Sequence, residues 1–320
     1  MICVLSGGTG GAKFVDGLCQ VVPQDQLTVI VNTGDDLQWW GLYVSPDVDS
    51  IVYMLGRVLS RERGWGRHGD TFQCLATMKQ LGEPAWFQVG DRDLAVHLLR
   101  SQLLADGKTL TEATAEIATR LNVSAKVLPM SNQRVETRVD TPAGDLSFEE
   151  YFVQRWYQDP VKSVRFVGAS DARPAPGVVE AIAGADAVLI APSNPVTSIG
   201  PILAVPGIRD ALRLAKHKVA AVSPIVGNAA VAGPAGALME AQGFPCSIAG
   251  VAQAYKDFVS TIVVDMVDQA AGEDLQKNGM RVKCAHTIMR TDSDRAALAH
   301  FVLSTVFAGV LRNTDAATEP

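Results

Sequence analysis

The 320-residue chain lacks any CxxC pair and any closely spaced His/Cys set. Its five cysteines, Cys3, Cys19, Cys74, Cys246 and Cys284, are scattered and odd in number. A disulfide framework and a zinc knuckle are thereby excluded, and reduced, mostly buried thiols in a cytosolic protein are expected. The histidines are equally isolated, so His97, His217 and His286 read as structural rather than metal-ligating. Basic charge is also in short supply: 28 Lys and Arg face 34 Asp and Glu, a net charge of −6. That balance excludes a broad nucleic-acid surface while allowing a local basic pocket. No apolar run is long enough to span a membrane. The first apolar run is short and has no basic leader, unlike a secretory signal. A cytoplasmic location is therefore expected. Neither repeats nor low-complexity tracts occur.

What is present begins at the N-terminus. Met1-Ile-Cys-Val-Leu-Ser6 reads as a buried strand, and Gly7-Gly-Thr-Gly-Gly11-Ala12-Lys13 follows it. Without Cβ atoms, the backbone N–H groups of such a run can approach an anion closely. A helix beginning after it adds its positive end. This is the pattern of a phosphate-binding loop. A Walker A loop ends in Gly-Lys-Ser/Thr because its hydroxyl holds Mg²⁺. Here the end is Ala12-Lys13-Phe14, so that hydroxyl is missing. The dinucleotide fingerprint starts well at Gly8-Thr9-Gly10, but its sixth position is Lys13, which disfavours an ordinary NAD site.

Further along, β-branched apolar runs alternate with helical patterns. Strands are expected at 27–31, 164–167, 187–191, 219–223 and 261–264. Helices are expected at 176–183, 207–215 and 234–241. This alternation predicts a Rossmann-like, doubly wound α/β fold with a mostly parallel sheet covered on both faces. Such sheets bind ligands at the carboxyl ends of their strands. The stretch from Asp70 to Asp159 differs. Helices at 93–104 and 111–121 precede a hairpin about Thr141-Pro-Ala-Gly144. The expected division is a nucleotide- and phosphate-binding core at 1–69 and 160–312, with a mainly helical insert at 70–159 carrying a short β element. A C-terminal helix is expected from Asp292 to about Leu311, and a tail at 313–320.

Several constellations offer chemistry, each with a plainer alternative. Asn32-Thr-Gly-Asp35-Asp36 follows the second strand, where two carboxylates suit Mg²⁺ or substrate hydroxyls. The same residues suit a turn with a helix-capping Asp. Ser45-Pro46-Asp47-Val48-Asp49-Ser50 precedes an apolar helix at 51–59. In an extended strip, Asp47 and Asp49 would share one side as hard ligands. Pro46 equally fits a helix start with both acids in the first turn. In Gly90-Asp-Arg92-Asp93 the arginine is either a surface ion-pair partner or a fork for carboxylate or phosphate. Pro192-Ser193-Asn194-Pro195, with Thr197-Ser-Ile-Gly200, leaves one strand, and Ser223-Pro-Ile-Val-Gly-Asn228 leaves the next. Both loops can wall a base or phosphate, or merely connect strand to helix. Lys13 is placed to reach a phosphate or to stand solvated on the first helix.

Taken in order, Ser6–Gly11, Asn32–Asp36, Ser45–Asp49, Gly90–Asp93, Leu128-Pro-Met-Ser131, Pro192–Pro195 with Thr197–Pro201, and Val222–Asn228 resemble the CofD/FbiA family. These are the 2-phospho-L-lactate transferases of deazaflavin coenzyme F-420 biosynthesis. The resemblance runs from Met1 to about Leu311. The related YvcK-like regulatory proteins, which bind nucleotide sugars without transfer, share the glycine loop. The Ser45–Asp49 and Gly90–Asp93 segments resemble the transferase branch more closely. The resemblance implies transfer of a phospho-three-carbon-acid unit from a GDP-linked donor to the ribityl hydroxyl of the deazaflavin Fo, with release of GMP. The acid is 2-phospholactate or its phosphoenolpyruvate or 3-phosphoglycerate counterpart. It also implies Mg²⁺, a homodimer, and neither nucleic-acid nor membrane partners. By the same resemblance Ser6, Gly7, Gly8, Thr9, Gly10, Gly11 and Lys13 hold the diphosphate. Ser193, Asn194, Ser223 and Asn228 help to hold the guanosine. Asp47 and Asp49 are the expected catalytic and metal-binding pair. Asp49, Arg92, Asp35 and Asp36 face Fo, with the insert helping to cover it.

Overall fold

The first two apolar runs form adjacent parallel strands, β1 (Ile2–Ser6) and β2 (Leu27–Val31), in register from Ile2 opposite Leu27 to Ser6 opposite Val31. The computed structural model describes residues 1–307. After these come a small hairpin, β3 (Leu37–Trp39) and β4 (Leu42–Val44), then β5 (Lys126–Pro129), β6 (Glu136–Thr141), β7 (Gly144–Ser147) and β8 (Ser163–Val167). The second half contributes β9 (Ala187–Ile190), β10 (Val219–Val222), the short β11 (Ile225–Val226) and β12 (Ala229–Ala230), β13 (Thr261–Asp265) and β14 (Arg281–Ala285). Seven of these form one parallel sheet in the order β14-β13-β10-β9-β1-β2-β5.

The sheet is α/β and covered on both faces, as expected. Successive β1 side chains alternate between two cores. Cys3 and Leu5 pack with Ile182, Ile199, Ile208 and Leu238 on one face. Ile2 and Val4 pack with Phe14, Val48, Ile51 and Leu298 on the other. That second face is covered by α1 (Gly8–Leu18), α2 (Pro46–Leu55) and the Asp292–Phe301 helix. Between α2 and β5 come α3 (Gln73–Gln80), α4 (Asp91–Ala105) and α5 (Leu110–Arg120). Thr109 starts α5 with a reciprocal capping box to Glu112, and Thr291 does the same to Asp294 for the helix after it.

The structure amends several expectations. The 164–167 run is not a core strand. It pairs antiparallel with β6 in a separate β7-β6-β8 sheet, where Arg165 and Val167 are exposed. The 70–159 stretch does not stay outside the core, because its β5 is the edge strand beside β2. The helix after β1 starts at Gly8, so the glycine run forms the first helical turn rather than a loop before it. Likewise α2 starts at Pro46, so Asp47 and Asp49 lie in its first turn. All five cysteines are free, but only Cys3 is buried. The terminal helix is seen as Asp292–Phe301 continued by wider turns to Val306; its expected extension to Leu311 and the tail at 313–320 lie outside the described residues.

One buried ion pair locks α1 to the rest of its layer. Asp16, 1% exposed, accepts from Arg57 and, at 2.8 Å, from the nearly buried Arg295 on the terminal helix. At their crossing Gly17 admits the Arg295 carbonyl where no Cβ would fit. Removing one partner of such a pair leaves a buried charge uncompensated. Asp16→Ala is therefore expected to lower unfolding free energy by about 3 kcal/mol, measured by denaturant titration. Replacing Asp16 and Arg295 together by apolar residues should recover much of that loss.

Candidate active site

The strand order reverses direction between β1 and β9. From β1 the chain runs outward through β2 and β5, then returns to place β9 and β10 on the other side. The crevice at such a switch point is where open α/β sheets bind ligands. Two of the anticipated loops meet there. Ser193 Oγ donates to the Gly7 carbonyl at 2.7 Å and accepts from the Gly7 N–H at 3.2 Å. Gly10 lies against Pro192, whose carbonyl would stand 2.6 Å from an added Cβ. A Cβ on Gly7 would meet Asp47 Oδ2 at 2.6 Å and Ser198 Cβ at 2.8 Å. The glycines thus serve the close approach of three segments as well as any ligand.

Asp47 sits on the N-terminal end of α1. Its Oδ1 accepts from the Gly8 N–H at 2.6 Å, and its Oδ2 accepts from Asn32 Nδ2 at 2.9 Å. Asn32 Nδ2 also donates to Asp35 Oδ2 at 2.9 Å and to the Thr197 carbonyl at 3.2 Å. The Gly34 N–H donates to Asn32 Oδ1 at 2.8 Å and fixes the orientation of the amide. Part of the positive helix end is therefore taken by a protein carboxylate. Among the described residues, no side-chain or loop acceptor takes the N–H of Thr9 or Gly10, and the buried Ser6 hydroxyl has no partner.

Asp49 faces elsewhere. Two residues on from Asp47 in a helix, it points to a different side, and both its oxygens accept from the fully buried guanidinium of Arg100 on α4. His97 Nδ1 stands 3.6 Å from Asp49, and its Nε2 stands 3.5 Å from Asp93. Tyr53 donates to Asp93 at 2.6 Å. The anticipated shared metal site of Asp47 and Asp49 is thus not formed. That pairing assumed an extended strand, and the helix separates the two acids.

Asp47 instead belongs to a buried acidic group from three segments. Burial, and then the charges of Asp47 and Glu149, push the Asp35 carboxyl well above its usual range. Burial also raises Asp47, against the hydrogen bonds from Asn32 and Gly8. Asp36 is pushed up to about 8 by burial, although Ser45 donates to it at 2.7 Å and Tyr43 at 2.8 Å. Glu149, just after β7, is pushed up to about 8 by burial and by the charges of Asp47 and Asp36. Asp35 Oδ1 is buried with no partner.

The other anticipated residues are less engaged. Arg92 is exposed at the start of α4 and donates to the His68 carbonyl at 2.9 Å. Lys13 is half-buried in the second turn of α1 and makes no side-chain hydrogen bond among the described residues. Asn194 Oδ1 closes its own loop by accepting from Val196 N–H at 2.9 Å. Ser223 Oγ closes a turn onto Ile225, and Asn228 is exposed with φ 62°. No hydrogen bond among the described residues ties Ser223 or Asn228 to the glycine turn. Glu149 and Arg100 escaped notice in the sequence, and His97, read there as structural, lies between Asp49 and Asp93. Asp93, His97 and Arg100 recur at helical spacing on one face of α4, a signal that was available; Glu149 had none.

Comparison with known proteins agrees with this architecture. The family model described as 2-phospho-L-lactate transferase CofD matches residues 2–302. A 2-phospho-L-lactate transferase of Methanosarcina mazei is 40% identical over 300 residues, covering 94% of this chain and 98% of its own. A phosphoenolpyruvate transferase of Streptomyces griseus is 43% identical over 302 residues, covering 92% and 95%. The crystal structure of a UPF0052-family member from Bacillus halodurans superimposes with a TM-score of 0.63 at 19% identity, covering 94% of this chain and 98% of that one.

The acidic group makes stability depend on pH with a definite sign. Asp36 and Glu149 keep protons in the fold that the unfolded chain releases near their ordinary values of 3.8 and 4.5. Folding therefore binds protons, and stability falls as pH rises toward about 8. The melting temperature of metal-free protein should drop between about pH 5 and about pH 8, and Glu149→Gln should flatten that drop. An unchanged profile in the variant would show that Glu149 is not held protonated.

Proposed function

The chain belongs to the CofD family of 2-phospho-L-lactate transferases, and we propose that it moves a phospho-three-carbon-acid unit from a GDP-linked donor to the ribityl hydroxyl of the deazaflavin Fo, releasing GMP. The carrying observation is the convergence of Gly7–Gly10, Asp47, Asn32 and Ser193 at the switch point of the sheet. Free helix-end amides, an unpartnered serine hydroxyl and a carboxylate meet there within one crevice. Phosphoryl chemistry asks little else of a protein than positioning and charge stabilisation.

In this reading the Thr9 and Gly10 amides and the Ser6 hydroxyl hold phosphate oxygens of the donor. Asp47, held by Gly8 and Asn32 beside those amides, accepts the proton of the attacking hydroxyl. Asp49 and Arg92 lie at the starts of α2 and α4 and flank the acceptor. Arg100 fixes Asp49, and the bond from Tyr53 to Asp93 fixes the two helices to each other. Ser193 and Asn194 shape the wall on the guanosine side, with the Ser223–Asn228 loop beyond it.

The same residues fit Mg²⁺. Asp35 and Asp47 share one amide donor, burial raises both, and Asp35 Oδ1 lacks a partner. Among the described residues no set of three or more acids, histidines or cysteines forms a cage. That suits a cation bound through one or two carboxylates and completed by substrate phosphates and water. Mg²⁺ there would neutralise charge on the transferring phosphoryl group.

Protein, Mg²⁺, Fo and lactyl-2-diphospho-5′-guanosine should yield GMP and a phospholactyl deazaflavin by mass spectrometry. The phosphoenolpyruvyl and phosphoglyceryl donors, run alongside, identify the acid. Asp47→Asn should lower kcat by about a hundredfold or more while the fold persists by circular dichroism. No product from any of the three donors, with Fo and GDP binding intact, refutes the transfer.

A further inference from the structure

A donor of this kind brings a carboxylate and two phosphates into the crevice, and cationic side chains must meet that charge. The motifs read from the sequence supply only Arg92, which is exposed, and Lys13, which lies in the second turn of α1. The offsetting charge lies in the segment joining α2 to α3. Its ends are pinned: the His68 N–H donates to the Val58 carbonyl at 2.7 Å, and the Ser60 N–H donates to the Gly66 carbonyl at 2.9 Å. Gly64 and Gly66 adopt φ of 76° and 64°, which lets the loop fold tightly over the glycine turn. There Gly64 faces Thr9, with room between them for one methyl group: a Cβ on Gly64 would stand 3.5 Å from Thr9 Cγ2.

Two arginines are set in this loop. The Arg63 guanidinium lies 5.3 Å from the Trp65 ring and 5.2 Å from the Phe72 ring, and its Nη2 donates to the Arg67 carbonyl at 2.8 Å. The Arg67 guanidinium lies 5.8 Å from the Tyr53 ring. Both side chains are half-buried, and the Nε of each is buried with no partner. Neither takes part in an ion pair within 4.0 Å among the described residues. Asp93 of α4 accepts from the Tyr53 hydroxyl through Oδ1, and its Oδ2, like the Arg63 Nη2, would stand 3.9 Å from a Cβ on Gly66 without pairing to it within 4.0 Å. Two half-buried cations without counter-ions are costly. Aromatic faces hold their planes, and the Nη groups not spent on the Arg67 carbonyl are the donors left for a planar oxyanion.

We propose that the Arg63–Arg67 loop is the subsite for the carboxylate of the acid carried by the donor, beside the phosphates held at Thr9 and Gly10. This rests on the transferase reading. Two guanidinium forks bind a carboxylate bidentately, a geometry that the N–H groups of a helix end do not offer.

The test uses full-length protein saturated with GMP, which fills the nucleotide side and leaves the acid side open. Phosphoenolpyruvate and, separately, inorganic phosphate are titrated by calorimetry into wild type, Arg63→Gln and Arg67→Gln. Each substitution should weaken phosphoenolpyruvate by about tenfold to a hundredfold, the range of a charge-assisted hydrogen bond. Inorganic phosphate and GMP affinities should stay within about twofold of wild type, which also certifies the fold. Equal phosphoenolpyruvate binding by wild type and both variants, or none by wild type, overturns the subsite. An equal loss of inorganic phosphate assigns the arginines to the phosphates and overturns the carboxylate assignment. If phosphoenolpyruvate binding depends on the arginines while no donor yields product, the subsite stands and the transferase reading falls.

Discussion

The bond from the Gly8 N–H to Asp47 is the contact on which the crevice is built. It joins the helix after the first strand to the helix that starts at Pro46. Asn32, at the end of the second strand, binds the other oxygen of the same carboxylate, and also Asp35 and the carbonyl of Thr197. Three segments, at Asn32–Asp35, Asp47 and Thr197, thus meet on one side-chain amide. An amide nitrogen has two hydrogens and here faces three acceptors, so one acceptor is always underserved. That deficit, with the unpartnered Asp35 Oδ1, leaves the cluster short of positive charge. The same constraint explains Gly7. Any Cβ there would enter the space of Asp47 and Ser198, so the glycine is required by packing before any ligand arrives.

A second contact sets the width of the site. Asp49 and Arg100 are both buried and joined through two hydrogen bonds, and Tyr53 and Asp93 make a parallel link between the same two helices. A buried ion pair contributes little net stability compared with a well-packed apolar pair, because both charges lose their water. Its value here is orientational. Two bonds from a planar guanidinium hold α2 against α4 at one rotation, which sets where Arg92 and Asp49 stand relative to each other. The first acid in the turn serves the helix end of α1, and the second serves α4. One turn of helix thereby ties the glycine-turn side of the crevice to the α4 side.

What the sequence disclosed follows from the range of the forces involved. Buried parallel strands must be continuously apolar, so β1, β2, β9, β10 and β13 were legible as runs. The glycine turn was legible because its requirement is local and steric. The partner of a strand is not written in the strand. Val164–Val167 looked like core, yet Arg165 within it marks a sheet with one wet face, and it joined β6 instead. Side-chain pairing is equally non-local. Asp49 and Arg100 lie 51 residues apart, and nothing in either neighbourhood names the other. Asp47 and Asp49 were read as a pair because they are close in sequence, whereas helical geometry sends them to different partners. Glu149 reaches the acidic group only because the β6–β7 hairpin folds back over the crevice, a tertiary fact without a sequence signature.

The relatives bear on which residues can choose the acid. Chains named for 2-phospho-L-lactate and for phosphoenolpyruvate match this one at 40% and 43% identity, so overall likeness does not separate them. The two acids share a carboxylate and a phosphate, and differ in whether a neighbouring carbon is a methyl-bearing tetrahedral centre or a planar methylene. Charged groups that grip the shared oxyanions bind both alike and contribute uniform affinity. Discrimination must come from apolar side chains against the third carbon. A change of that size in an apolar pocket is worth about 1–3 kcal/mol, enough for a tenfold to hundredfold preference but not for absolute exclusion. Selectivity of that order belongs to shape rather than charge. A crevice that holds the shared oxyanions in one way can therefore take either acid after a few apolar contacts are repacked, without being rebuilt.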